Sequence, residues 1–220
     1  TDAALEPAAM DPGWWAEVQE GIIASEYRVS PQAKTGPTAG PAAYQAPNRA
    51  QNLRTSFTDG GVRLAPRDGG TEVPESWVLG LALVGFGTKG AVEPVPPAGA
   101  PRVKGNRVAY ARGALTEWYV NDRRGLEQGF TVASPPPGTG ALCVQLAVRG
   151  GLTPALTPDG GSAEFHTAGG VGVLRYGGLR AWDARHRELA ATMGLVASGG
   201  EPGAGETLVQ LCVDAAGAAY

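Results

Sequence analysis

Apolar and polar residues alternate over short runs, and turn-forming dipeptides separate those runs. Residues 53–66, LRTSFTDGGVRLAP, alternate on both sides of Asp59-Gly60, a dipeptide that favours the type I′ turn of a β-hairpin. Similar runs flank Gly105-Asn106, Asp159-Gly160, Asp183 to Arg187 and Asp214 to Gly217. Five such turns at short intervals predict a series of antiparallel hairpins. The expected fold class is therefore an all-β sandwich or roll, possibly with two sub-sheets.

A further hairpin is predicted for residues 115–132, in which strands at 115–120 and 126–132 flank the turn NDRRG. Asp122 lies at the tip of this predicted turn, while Glu117 and Glu127 lie on its flanks. Arg123 and Arg124 beside them are expected to keep the carboxylates ionised. The pattern is typical of a polar hairpin with cross-strand ion pairs.

One segment, residues 11–27, has the spacing of an amphipathic helix. Asp11 can cap it and Pro12 occupies its first position. Its apolar stripe predicts a face that docks onto a sheet, and it contains Trp14, Trp15, Val18 and Ile22. The paired tryptophans could alternatively form a ligand platform. Residues 30–50, rich in Pro, Gly and Ala, are expected to form a long surface loop.

Proline-rich stretches divide the rest of the chain. Residues 93–101 and 134–140 are unsuitable for a helix or a central strand. They predict an N-terminal helix and lead-in at 1–30, a first β subdomain at 31–134 and a second at 135–220.

Composition narrows the function classes. The 220 residues carry a net charge of −3 with no basic run, which argues against nucleic acid as a partner. Gly (34) and Pro (18) are abundant, but the hydrophobic share of 43% favours a folded chain with many turns over disorder. The longest apolar run, residues 77–87, is too short for a membrane-spanning helix.

The two cysteines, Cys143 and Cys212, both lie in apolar, strand-like runs. They are either buried free thiols or a disulfide between neighbouring strands. A disulfide would fit an oxidising, extracytoplasmic location.

Motifs for enzymatic chemistry are absent from the sequence. His166 and His186 lack further ligands at metal-binding spacing, and neither a nucleophile elbow nor a phosphate-binding loop occurs. We therefore expect no cofactor, no metal and no catalytic residue. The remaining enzymatic alternative is a glycosidase that uses two of the carboxylates Glu117, Asp122 and Glu127.

Four aromatic residues are candidates for stacking on a carbohydrate ring: Trp118, Tyr119, Tyr176 and Trp182. Successive residues of a strand point to opposite faces, so at most one of Trp118 and Tyr119 is expected to be exposed.

Residues 44–67, residues 114–132 and the closing VDAAGAAY resemble the N-terminal region of large bacterial secreted or cell-surface proteins. In those proteins this β-rich region precedes FG-GAP (integrin-like) or related β-propeller repeats. The most specific stretch is EWYVNDRRGLEQGF, residues 117–130. The resemblance implies export and surface display and supplies no catalytic residue.

Together these observations predict a non-enzymatic structural or interaction module of an exported bacterial protein. Its expected partner is a protein, either its own C-terminal repeats or a neighbouring subunit. A carbohydrate-binding or adhesive module that recognises a surface glycan is the alternative.

Overall fold

The computed structural model describes residues 25–32, 44–67, 77–198 and 206–220. This part of the chain is all-β, as predicted, and every strand pairing in it is antiparallel. Its strands are β1 (Ser30–Pro31), β2 (Tyr44–Asn48), β3 (Leu53–Thr58), β4 (Gly61–Pro66), β5 (Leu79–Thr88), β6 (Ala91–Pro94), β7 (Arg102–Lys104), β8 (Arg107–Arg112), β9 (Leu115–Asp122), β10 (Gly125–Val132), β11 (Leu142–Gly150), β12 (Thr153–Leu156), β13 (Ser162–His166), β14 (Gly172–Gly177), β15 (Ala181–Trp182), β16 (Glu188–Leu189), β17 (Ala191–Ala197) and β18 (Thr207–Val213).

The largest sheet has nine strands, in the order β1-β2-β3-β4-β5-β11-β18-β17, and β6 also pairs with β5. Its central strand β5 is the apolar run LGLALVGFGT, buried or half-buried along its whole length. Such a run, without polar alternation, suits a strand covered on both faces. β5 pairs with β11 across the Pro-rich link at 134–140, so the sheet draws strands from both predicted subdomains.

A second sheet has four strands in the order β10-β9-β8-β7. Three- and two-stranded sheets follow, with the orders β12-β13-β14 and β15-β16. The four-stranded sheet packs on the nine-stranded one through aromatic side chains. The rings of Phe57 on β3 and Tyr119 on β9 lie edge to face, with 5.6 Å between their centroids.

One hydrophobic core joins the three larger sheets. Leu79, Leu81 and Leu146 come from the nine-stranded sheet, Val108 from the four-stranded sheet and Phe165 from the three-stranded sheet. Each of these side chains is at most 5% exposed. Because the core crosses sheet boundaries, the sheets are layers of one packed unit.

Most of the predicted hairpins are confirmed. The turns at 59–60, 105–106 and 183–187 join β3 to β4, β7 to β8 and β15 to β16, and the loop around 159–160 joins β12 to β13. Close packing explains the glycine that follows the first turn. At Gly61 φ is +117°, and a Cβ there would lie 2.3 Å from the carbonyl oxygen of Leu81 on β5.

Three local predictions are wrong. The turn between β9 and β10 is Arg123-Arg124 alone, because Asn121 and Asp122 continue the ladder opposite Leu126 and Gly125. Residues 214–217 turn, but no strand follows them in residues 218–220, where the Ala219 carbonyl accepts a hydrogen bond from Ala184. Residues 44–48, expected in a loop, form strand β2.

The loop prediction over 44–48 rested on the abundance of Pro, Gly and Ala in residues 30–50, and strand β2 forms although it contains Pro47. β1 pairs only with Tyr44 and Gln45 of β2, so within the described part of the chain no strand of this sheet lies beside Pro47 on the side away from β3. A proline is tolerated at such an edge position. The predicted N-terminal helix with its docking face lies in residues outside those described, apart from its last residues.

Candidate functional site

The hairpin β9–β10 presents two chemically different faces. Along β9 Leu115, Glu117, Tyr119 and Asn121 are buried, and the residues between them are half-buried. The register places Gln128 opposite Tyr119 and Gly129 opposite Trp118. The buried set faces the core, which we call the inner face, and Trp118 and Gly129 belong to the opposite, outer face.

A carboxylate lies at the centre of the inner face. Glu117 is fully buried, and the Arg112 guanidinium donates to its Oε2 from Nε at 3.3 Å and from Nη2 at 3.2 Å. The other carboxylate oxygen accepts hydrogen bonds from the Tyr119 hydroxyl at 2.5 Å and from the Gln128 amide at 3.0 Å. The charge of Glu117 is thus compensated inside the protein.

Tyrosines surround this carboxylate, and their pKa values reflect it. Burial first, and the charge of Glu117 second, raise the pKa of Tyr119 and of Tyr110 well above the usual value. The same two causes raise the pKa of Tyr176, whose hydroxyl donates to the Gln128 side chain at 3.1 Å. The Tyr110 hydroxyl is buried and has no hydrogen-bond partner within the described part of the chain. These groups therefore stay neutral at physiological pH.

A second buried network fixes the far end of the hairpin. The Asn121 amide donates to the carbonyl oxygens of Tyr27 at 3.0 Å and Pro47 at 2.8 Å. Asn48 in turn donates to the Asn121 side chain at 2.9 Å and to the Asp122 carbonyl at 2.7 Å. These bonds attach both β2 and the segment 25–32 to β9, so the network is structural.

The three carboxylates considered for catalysis do not share one face of the hairpin. Glu127 lies opposite Val120 on the outer face, whereas Glu117 is on the inner face. Arg124 pairs with Asp122 at 2.7 Å and with Glu127 at 3.8 Å. The pKa of Asp122 is lowered, chiefly by its hydrogen bond from Arg124. The expected ion pairs with Arg124 form for Asp122 and Glu127, but Glu117 pairs with Arg112 instead.

The four candidate stacking aromatics differ in exposure. Tyr119 is 1% exposed and offers no surface to a sugar ring, whereas Tyr176 is half-buried with its hydroxyl bonded to Gln128. Trp182 is 54% exposed on the two-stranded sheet, and the Arg180 guanidinium lies 5.3 Å from its ring centroid. Trp118 is half-buried on the outer face, as the alternation of β9 requires.

On the outer face Trp118 and Arg107 form a stack. The Arg107 guanidinium carbon lies 4.3 Å from the centroid of the Trp118 ring. The ring also covers Gly129, where a Cβ would come within 2.1 Å of it, and its Nε1 donates to the Thr131 hydroxyl at 3.2 Å. Arg107 and Arg112 were not predicted from the sequence, although the register of the β8–β9 hairpin makes them diagonal neighbours of Trp118 and Glu117.

The two cysteines form a disulfide in the structure. Cys143 on β11 and Cys212 on β18 are direct partners in the ladder, with 4.1 Å between their Cα atoms. Of the two alternatives left open by the sequence, the structure therefore has the bridge.

The two histidines have different surroundings. His166 lies 3.9 Å from the Glu164 carboxylate, whereas His186 is exposed in the turn 183–187 with φ at +60°. Within the described ranges no group of three or more His, Cys, Asp or Glu side chains could hold a metal ion. The same ranges contain no helix long and apolar enough to cross a membrane.

Comparisons with protein-family models, with curated proteins and with solved structures found no match.

Proposed function

We propose that this chain is a non-enzymatic structural or interaction module of an exported bacterial protein. The observation that carries the proposal is the outer face of the four-stranded sheet. It exposes three cations, Arg102, Lys104 and Arg107, that make no ion pair with a carboxylate of the described residues. Such a face suits a partner more than a substrate, because the two carboxylates that share it, Asp122 and Glu127, are both paired with Arg124.

Two further observations support this role. The disulfide between Cys143 and Cys212 is of a kind that persists in oxidising compartments. The resemblance of residues 117–130 to bacterial surface proteins points in the same direction. The proposed partner is a protein, namely C-terminal repeats of the same polypeptide or a neighbouring subunit, and the proposed location is extracytoplasmic.

Export is tested on the complete gene product in intact cells of its host. A protease added outside the cells should digest the protein, while a cytoplasmic marker in the same sample survives. Protection equal to that of the marker would contradict the proposal.

The non-enzymatic part is tested by assaying the protein on glycoside, ester and peptide substrates. No turnover above background is expected, because Glu117 lies on the opposite face of the sheet from Glu127 and cannot flank the same glycosidic bond. The remaining pair, Asp122 and Glu127, is bound by Arg124, which lowers the pKa of Asp122 and disfavours its use as a general acid. Turnover that is abolished by Glu117→Gln or Glu127→Gln in a protein that still folds would contradict this expectation.

A carbohydrate-binding or adhesive role is the second candidate, and the exposure of Trp182 favours it. A flat, solvent-facing ring can stack on a sugar. A glycan array should then show hits with the wild-type protein that disappear in Trp182→Ala. An array without hits would remove this candidate.

A further inference from the structure

The outer face has a simple arrangement of rows that run across its strands. One row runs Arg102, Ala109, Trp118 and Gly129 from β7 to β10. The neighbouring row runs Lys104, Arg107, Val120 and Glu127. All three cations therefore lie on β7 and β8, on one side of the Trp118 ring.

The position of these cations is unfavourable within the described part of the chain. Lys104 and Arg107 are direct cross-strand partners, so their side chains leave the same face side by side. Like charges placed opposite each other destabilise a sheet, and Arg102 adds a third positive charge two residues along β7. Glu127 does not relieve them, because Val120 separates it from Arg107 in the row and its carboxylate faces Arg124. An anion bound between the cations would relieve the repulsion.

The guanidinium of Arg107 is also held in place for binding. The Trp118 ring lies beneath it, and the ring is itself positioned by contact with Gly129 and by its hydrogen bond to Thr131. A guanidinium stacked on an aromatic ring keeps its N–H donors free at the edge of its plane, where they match a carboxylate in a two-point contact. Covering a glycine would explain the position of Trp118 alone, but it would not explain why three cations gather beside it.

The shape of the face selects among anionic ligands. Ala109, Ala111 and Gly129 are the small residues of this face, so the surface between its longer side chains is open. Peptides that bind sheets generally pair with an edge strand instead. The net charge of −3 disfavours nucleic acid, whose binding depends on a broadly positive protein. A chain of pyranose rings that carry carboxylates fits both the open surface and the charge, because its ring faces can lie against the sheet while its carboxylates meet the cations.

We propose that the outer face binds an acidic, uronate-bearing polysaccharide, with Arg107 on its Trp118 platform as the main carboxylate contact and Arg102 and Lys104 as flanking cations. This inference rests on the proposed role as an interaction module and names the ligand class of that same face.

The test measures binding of alginate oligosaccharides to the purified protein by calorimetry, with neutral dextran oligosaccharides beside them. Alginate should bind, dextran should not, and the affinity should fall as salt is raised. Arg107→Ala should weaken binding by about tenfold or more, since it removes a charge-assisted two-point contact. Arg63→Ala, which removes an exposed cation from β4, is the matched control and should bind as the wild type does.

A second variant separates the stack from simple charge. Gly129→Ala keeps every charge, but its new Cβ displaces the Trp118 ring from beneath Arg107. It should weaken alginate binding by several-fold while circular dichroism shows an unchanged fold. Arg107→Lys should bind alginate more tightly than Arg107→Ala but more weakly than the wild type, because a lysine retains the charge without the planar donors.

Three results would overturn the inference: equal binding of alginate and dextran, equal affinity of Arg107→Ala and Arg63→Ala, or tighter binding of polyglutamate or duplex DNA than of alginate. These outcomes are separate from the export test. An exported protein that ignores alginate keeps its proposed module role, whereas a protein retained in the cytoplasm loses that role whatever it binds.

Discussion

At the scale of single residues, the alternation along β9 determines what each side chain does. Glu117 faces the core and is neutralised by Arg112, while its neighbour Trp118 faces outward beneath Arg107. The two residues are adjacent in sequence, yet Glu117 stabilises the core and Trp118 forms part of the outer face. Moving the register by one residue would exchange these roles.

The buried pair of Arg112 and Glu117 gives the sharpest prediction about stability. Arg112→Met leaves the Glu117 carboxylate buried without its counter-charge, so the free energy of unfolding should fall by about 3–5 kcal/mol. Chemical denaturation monitored by circular dichroism measures the change.

Two controls accompany this variant. Arg124→Met breaks an ion pair whose arginine side chain is 75% exposed, and it should leave stability nearly unchanged. The double variant Arg112→Met with Glu117→Leu should recover much of the loss, since an apolar pair can replace a buried ionic one. Equal stability of Arg112→Met and Arg124→Met would contradict the structural role assigned to the pair.

For single residues, the sequence pattern predicts which face of a strand a side chain lies on, but not which side chain it contacts. Alternation correctly predicted that at most one of Trp118 and Tyr119 is exposed. It did not identify the partner of Glu117, because Arg112 is five positions earlier and meets it across the turn between β8 and β9. Arg123 and Arg124 follow Glu117 by six and seven positions, and they lie at the other end of the hairpin. Cross-strand contacts depend on register, which requires the turn to be placed correctly.

At the scale of elements, the short hairpin β15–β16 is organised by one aspartate. Asp183 is 8% exposed and accepts hydrogen bonds from the backbone N–H groups of Arg185 at 2.9 Å and Arg187 at 3.0 Å. Arg187 also donates to the Gly217 carbonyl at 2.8 Å, which ties the turn to the C-terminal residues. The turn therefore serves as an attachment point for the residues after β18.

The pH dependence of stability follows from this aspartate. Backbone N–H donors, that of Arg187 first, lower the pKa of Asp183 below its ordinary value. A lowered pKa means that its contribution is fully present above the unfolded pKa, about 3.9, and is lost as pH falls through the lower folded pKa. Asp183→Asn should be less stable than the wild type at neutral pH, with the difference shrinking in acid.

Thermal unfolding from pH 7 to pH 2 measures that convergence. Asp214→Asn is the matched control, since this exposed aspartate accepts one backbone hydrogen bond and sits just before the same C-terminal turn. A difference between Asp183→Asn and the wild type that stays constant down to pH 2 would contradict the argument.

Strands could be predicted from the sequence wherever a turn-forming dipeptide separated them. Asp-Gly and Gly-Asn dipeptides located three hairpins, because these residues favour the backbone angles of tight turns. Strand β2 was missed because it lies in a stretch rich in Pro, Gly and Ala. Its own proline, Pro47, is tolerated because β1 stops before it, which is tertiary information. The strand expected after residue 217 does not form. The backbone of Ala219 bonds to the Asp183 side chain and to the Ala184 N–H and does not pair with a strand.

At the scale of the whole molecule, the disulfide joins two neighbouring strands of the largest sheet. Its cysteines are 69 residues apart, and the bridge restricts the unfolded chain accordingly. The double variant Cys143→Ala with Cys212→Ala should keep the fold, because the β11–β18 ladder and core remain, and should lose about 2–5 kcal/mol of unfolding free energy. Denaturant titration of both proteins measures the loss.

A thiol titration checks the bridge directly. Denatured, unreduced protein should show no reactive thiol, and reduction should release two. Two reactive thiols before reduction would contradict the bridge, and equal stability of the double variant and the wild type would contradict its contribution to the fold.

The order of strands in the nine-stranded sheet also has a consequence for the time course of folding. β18, the last strand that the structure describes, lies between β11 and β17, so the sheet stays open until residues 207–213 have left the ribosome. Until then the edges of β11 and β17 that pair with β18 have no partner strand. The contacts between β11 and β18 that close the sheet connect residues far apart in sequence. Such a topology folds slowly and late. A sheet completed this late leaves the edge of β11 uncovered for most of synthesis, and an uncovered edge strand can pair with another chain.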